Sequence, residues 1–159
     1  MRTTIQALPA NSPVWVFQTT DDLSAQPTLA AELDAFIDQW TSHGANVLGA
    51  WQLMHGHFLI ISAHEPASGV SGCSRDKLMH ALQDIGNRLN INFFDRLQVG
   101  LLHDGRVQFV PLAEVKRNFA IYSGFQYFDL SINTLAQIRE DWPMPVQNSW
   151  LAPSTKTLV

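Results

Sequence analysis

Phe58-Leu59-Ile60-Ile61-Ser62-Ala63 is apolar at nearly every consecutive position, so a strand built from it would be covered on both faces, as in the middle of a sheet. Its longest apolar run, Phe58 to Ile61, is far too short to span a bilayer. Upstream, Asn46 to Met54 reads as a second strand, joined to the first through His55-Gly56-His57. Downstream comes the small-residue loop Pro66 to Cys73, and then a helix over Arg75 to Leu89. Leu78, Leu82, Ile85 and Leu89 form its apolar stripe, Ser74 is its expected N-cap, and Asp76 suits the positive end of the helix dipole.

Further out, Val14-Trp15-Val16-Phe17 is a β-branched and aromatic run that predicts a strand entered through Pro13. After Pro27, the stripe Leu29, Leu33, Phe36, Ile37 and Trp40 predicts a helix, with Gly44 of His43-Gly44 as its C-terminal cap. Asp104-Gly105 between Leu97 to Leu102 and Arg106 to Val110 is a strong hairpin signal. The resulting order, β-α-β-β-α-β with an extra hairpin strand, is that of a ferredoxin-like split βαβ sandwich of the α+β class. Residues 112–159 are expected to form a helical, proline-rich and aromatic C-terminal extension. In it Leu112, Val115 and Phe119 suggest one helix, and Asn133 or Thr134 caps another that carries Leu135, Ile138 and Trp142. The extension is expected to pack on the body or on a second subunit.

The 159 residues, 46% of them apolar, suit one domain spanning 1–159. Charged residues are only 15%, against roughly 25% in typical soluble domains, and five Trp and nine Phe add bulky apolar surface, which favours a homodimer. The net charge of -4, with scattered Lys and Arg, lacks the footprint of a nucleic-acid or anionic-membrane partner. One cysteine makes no internal disulfide, and Met1-Arg2-Thr3-Thr4 has no signal-peptide core, so the cytoplasm is the expected location.

The split βαβ order would bring His43, His64, Cys73 and Asp76 to one end of the sheet, where the second helix begins, with His103 and Asp104 at the same end and His55 and His57 at the other. Backbone N–H groups of Gly72, Cys73 and Ser74, the hydroxyls of Ser71 and Ser74, and Arg75 suit a small anionic ligand, with His43 and His64 beside it. Asp76, His80 and Asp84 recur every four residues on the face opposite the leucines. Asp76 is therefore placed to orient His80, and Cys73 to act as a nucleophile with His80, His64 or His43 as base. The plainer reading makes Cys73 a small buried hydrophobe and Asp76-His80-Asp84 a solvated face. No CxxC or HExxH spacing supports a metal, no cofactor is named by any motif, and no GxxxxGK[ST], GxGxxG or GxSxG occurs. Of the five Trp, Trp15 and Trp40 fall in core patterns, while Trp142 and Trp150 are expected to anchor the tail.

Val14-Trp15-Val16, Gln39-Trp40-Thr41-Ser42-His43-Gly44, Ser71-Gly72-Cys73-Ser74 with Asp76 and His80, Asn133-Thr134, Trp142 and Ser149-Trp150 together carry a resemblance along the whole chain. The chain resembles a family of short bacterial proteins of unknown function, common in genomes of the Bacteroidetes type and often labelled "ABC transporter ATPase". It departs from that family at Pro13 and at Leu151-Ala152-Pro153. The resemblance points to His43, Ser71, Cys73, Asp76 and His80, and supplies no mechanism. Without a phosphate-binding loop the ATPase label has no physical basis here. The expectation is a small-molecule, anion or partner-binding protein working through Ser71 to Asp76. The alternatives are a cysteine-dependent enzyme or redox protein and a structural interaction module that uses the aromatic tail.

Overall fold

β-branched and aromatic residues form the first strand, β1 (Val14–Gln18), and an i, i+4, i+8 stripe of Leu29, Leu33 and Ile37 buries one side of the first helix, α1 (Leu29–Gln39). The computed structural model describes residues 1–65 and 72–154, a mixed α+β chain. A small hairpin, β2 (Thr41–Ser42) and β3 (Ala45–Asn46), precedes the long hairpin β4 (Leu48–Met54) and β5 (Phe58–His64). The second helix, α2 (Gly72–Leu89), leads to the hairpin β6 (Gln98–His103) and β7 (Arg106–Pro111). Apart from three short 3-10 helices, at Ile5–Ala7, Leu23–Ala25 and Val146–Asn148, the remaining described elements are α3 (Leu112–Arg117), α4 (Phe119–Tyr122), β8 (Gln126–Tyr127), α5 (Leu135–Asp141) and β9 (Met144–Pro145).

β1, β5 and β4 form an antiparallel sheet with β5 in the middle. Alternation along β5 explains its unbroken apolar sequence. Leu59, Ile61 and Ala63 pack under α1 and α2, with Leu33, Ile37, Leu78 and Leu82, while Phe58 and Ile60 face Phe128, Leu135 and Trp142 from the C-terminal third. The second sheet runs β7-β6-β8-β9, and its other face buries Val99, Leu101, Val115, Tyr127 and Val146. A ferredoxin-like order would set the fourth strand beside β1. Here β6 pairs with β7 and β8, and the link from the end of β1 toward β6 is an isolated bridge, Gln18 to Phe94, with the Gln18 Nε2 donating to the Gln98 carbonyl at 2.7 Å.

Several local expectations are corrected. The second helix begins at Gly72, ahead of Arg75, and Ser74 is not its cap. It lies inside the helix, fully buried, because it continues the Leu78 and Leu82 stripe onto the core. His43-Gly44 does not cap α1, whose C-cap is Trp40. With φ of 50° and 82° the pair makes the β2–β3 turn, a conformation that helix caps and tight hairpins both use. The long strand starts at Leu48, since Ala45 and Asn46 belong to that small hairpin. The Asp104-Gly105 turn joins β6 and β7 with φ of 50° and 74°, and Thr134 with Gln137 forms a capping box on α5. Ser71 and the loop from Pro66 onward lie outside the described residues.

Candidate functional site

The start of α2 is drawn together by three polar links. The Ser74 hydroxyl donates to Glu65 Oε1 at 2.7 Å, the Trp40 indole N–H donates to the Ser74 carbonyl at 3.0 Å, and the Lys77 ammonium donates to the Thr41 carbonyl at 2.8 Å. These bonds tie the end of β5, the end of α1 and the β2–β3 hairpin to the first turns of α2, which is the end where the candidate residues were expected. Of these, Ser74 is buried, with its hydroxyl on Glu65 and its carbonyl taken by the Trp40 indole. Gly72, Cys73, Arg75, Asp76 and His80 are exposed on α2, His43 is exposed at the hairpin tip, and His64 is half-buried at the end of β5. Among the described residues no group of three or more His, Cys, Asp or Glu is placed to hold a metal ion, and no hydrogen bond joins Asp76 to His80.

His103 and Asp104 belong to the second sheet. The His103 ring stacks on Phe125 with centroids 4.1 Å apart, and its Nε2 lies 3.3 Å from the Asp104 carboxylate. His55 and His57 sit at the β4–β5 turn, opposite the β5 end that leads to α2. His57 Nδ1 is hydrogen-bonded to the carbonyl oxygens of Thr19 and Asp21, at 3.2 and 2.9 Å. Burial holds the His55 imidazole below its usual pKa, which favours the neutral ring packed against Phe128.

A concave surface lies along the other half of α2. A groove of about 900 Å³ is bounded by the helix from Met79 to Asn87, by the segment after the helix, and by Asp21 beyond the end of β1. Its polar lining is amide-rich: Gln83 and Asn87 on the helix and Asn90 and Asn92 after it, with His80 one turn upstream of Gln83. Its apolar lining includes Met79 and Phe94, a ring left 42% exposed. Among the described lining residues Asp21 is the one carboxylate, and none is Lys or Arg. The neighbouring Asp22 is engaged elsewhere. The Ser24 hydroxyl and N–H donate to its carboxylate and hold its pKa below the usual carboxylate range.

The walls are set by how α2 ends. Asn90 adopts the left-handed conformation, φ 57°, and the Ile91 N–H donates back to the Gly86 carbonyl at 2.8 Å, the closing bond of a Schellman cap. A Cβ at Gly86 would collide with the Ile91 carbonyl oxygen, so glycine is what lets residues 90–92 fold back beside the helix. Asn92 Oδ1 accepts the Phe94 N–H at 2.9 Å, which leaves its Nδ2 as a donor, and Phe94 meets Phe17 edge-on at 5.9 Å. The side chains of Gln83, Asn87 and Asn90 make no hydrogen bond to another described residue.

Among the described residues His80 is thus the one expected site residue that lines the groove, and Cys73 and Asp76 are not in the lining. Sequence reasoning missed Asp21, Gln83, Asn87, Asn90, Asn92 and Phe94. The available signal was the run of amides at 83, 87, 90 and 92 on and after the polar side of the helix, which by itself reads as solvated surface. No protein-family model, curated protein or solved structure matches the chain.

Proposed function

We propose that this chain is a small-molecule-binding protein whose site is the groove between α2 and residues 90–94, with Asp21 at its rim. The observation that carries this reading is convergence. Four amide side chains and an imidazole, drawn from a helix and the segment folded back against it, border one concavity of ligand size beside an exposed aromatic ring. The small-molecule class expected from the sequence is kept, while its place moves from the helix start to the second half of the same helix. In the same reading, β1, β4 and β5 with α1 and α2 are a split βαβ core of the ferredoxin-like kind, to which the second sheet is appended.

The test is a nuclear magnetic resonance screen of the labelled protein against a library of polar fragments. Binding in the groove is expected to shift the side-chain amide signals of Gln83, Asn87, Asn90 and Asn92 together. Shifts confined to the backbone amides of Gly72 to Arg75 would instead make the helix start the site, and an absence of shifts across the library would remove the proposal.

A further inference from the structure

Resting on that reading of the groove, we infer that its ligand is an uncharged oligosaccharide. Three properties of the lining select this class. The first is charge. Among the described lining residues there is no Lys or Arg, only the acidic Asp21 and one imidazole, His80, so the groove holds no fixed cation to neutralise a phosphate or carboxylate, and an anionic ligand would lose hydration against a carboxylate. The second is hydrogen-bonding type. Each amide side chain carries both a donor and an acceptor, as does each sugar hydroxyl, so neighbouring hydroxyls can be met by Gln83, Asn87, Asn90 and Asn92 whichever way their protons turn. A carboxylate such as Asp21 adds an acceptor for two adjacent hydroxyls without needing a cationic partner. The third is the pairing of an amide edge with a flat apolar one. Phe94, 42% exposed and braced against Phe17, presents a ring on which the C–H face of a pyranose can lie.

The layout also suits a chain of sugars. His80, Gln83 and Asn87 follow one another at three- and four-residue steps on α2 and cover about 10 Å along its axis, enough for a short oligosaccharide laid beside the helix. The groove opens to solvent and combines amide with apolar side chains, as fits a ligand whose own surface is mostly hydroxyl, whereas drug-like apolar ligands favour enclosed apolar cavities.

The experiment titrates the labelled full chain with maltotriose, cellotriose and tri-N-acetylchitotriose, following the amide signals of the groove. Spermidine, citrate and a capped trialanine peptide are run as cationic, anionic and peptide probes. At least one of the trisaccharides is expected to shift the groove amides. Gln83→Ala and Asn87→Ala, exposed helix positions where alanine favours folding, are each expected to weaken its binding about five- to tenfold. Phe94→Ala is expected to weaken it by a similar factor. Unchanged affinity in all three variants would overturn the inference, as would failure of every trisaccharide at millimolar concentration. If spermidine, citrate or the peptide shifts the groove amides and no sugar does, the saccharide inference falls while the groove remains a binding site. If no probe of any class shifts them, both readings fall.

Discussion

Tyr127 shows what burial does to one titrating group. It is 5% exposed, its hydroxyl accepts the Trp150 indole N–H at 3.1 Å, and Lys116 lies over the Trp150 ring at 5.1 Å. Burial is the largest cause of a phenol pKa pushed up to about 12, partly opposed by the hydrogen bond from Trp150. A raised pKa means the folded state holds its proton after the unfolded chain has lost it. The contribution is therefore fully present below the unfolded value of about 10 and is lost as pH rises from there toward 12. Tyr127→Phe removes the titration, so its alkaline loss of stability is expected to be smaller than the parent's by about 2 kcal/mol. Urea unfolding across that pH range measures the difference, and identical pH profiles would refute it. Tyr127 is apolar enough in its surroundings to be read as core, but its partner Trp150 is 23 residues away and no local pattern names it. Ser74 teaches the same lesson from the other side. A serine before a leucine stripe reads as an N-cap, but the helix begins earlier, at Gly72, so Ser74 continues the stripe into the core, where Glu65 and Trp40 satisfy its polar atoms.

At the scale of the element, α2 is half legible. Its stripe of Leu78, Leu82 and Ile85 is a direct record of the face it buries, and all three are core residues. Its end depends on Asn90 taking the left-handed conformation and on Gly86 admitting the Ile91 carbonyl, and neither requirement leaves a periodic trace. Gly86→Ala is expected to destabilise the protein by about 1–3 kcal/mol, although alanine favours helix, because the clash with the Ile91 carbonyl outweighs propensity. It should also push residues 90–92 away from the helix and alter the amide signals that border the groove. Chemical denaturation together with amide spectra checks both effects, and a stabilised variant with unchanged spectra would contradict this account of the helix end. The turns divide in the same way. Asp104-Gly105 is readable because alternating apolar strands flank it. His43-Gly44 is ambiguous because a helix precedes it, and a glycine with positive φ closes either structure.

At the scale of the whole molecule, the two sheets meet where Phe58 of β5 packs against the second sheet. A Cβ at Gly100 of β6 would lie 2.9 Å from Phe58 Cζ and 3.1 Å from Gln18 Oε1. Gly100→Ala is expected to cost about 1–3 kcal/mol, since the large ring and a backbone carbonyl-bonded glutamine have little room to shift. Thermal unfolding measures it, and an unchanged midpoint would show that the sheets can slide apart without loss. Among the described residues no helix is long and apolar enough to cross a membrane. The sequence by itself determined the α+β class, the identity of the main helices and strands, and the burial of β5 on both faces, because side-chain periodicity records which faces leave water. Tertiary structure alone decided that β6 joins β7 and β8 in a second sheet, because strand edges hydrogen-bond through the backbone and carry no residue code for their neighbour. It also decided the groove: a local cap and the Gly86 contact fold residues 90–92 back beside the helix, but residue 21 reaches the same concavity only because α2 packs near the end of β1.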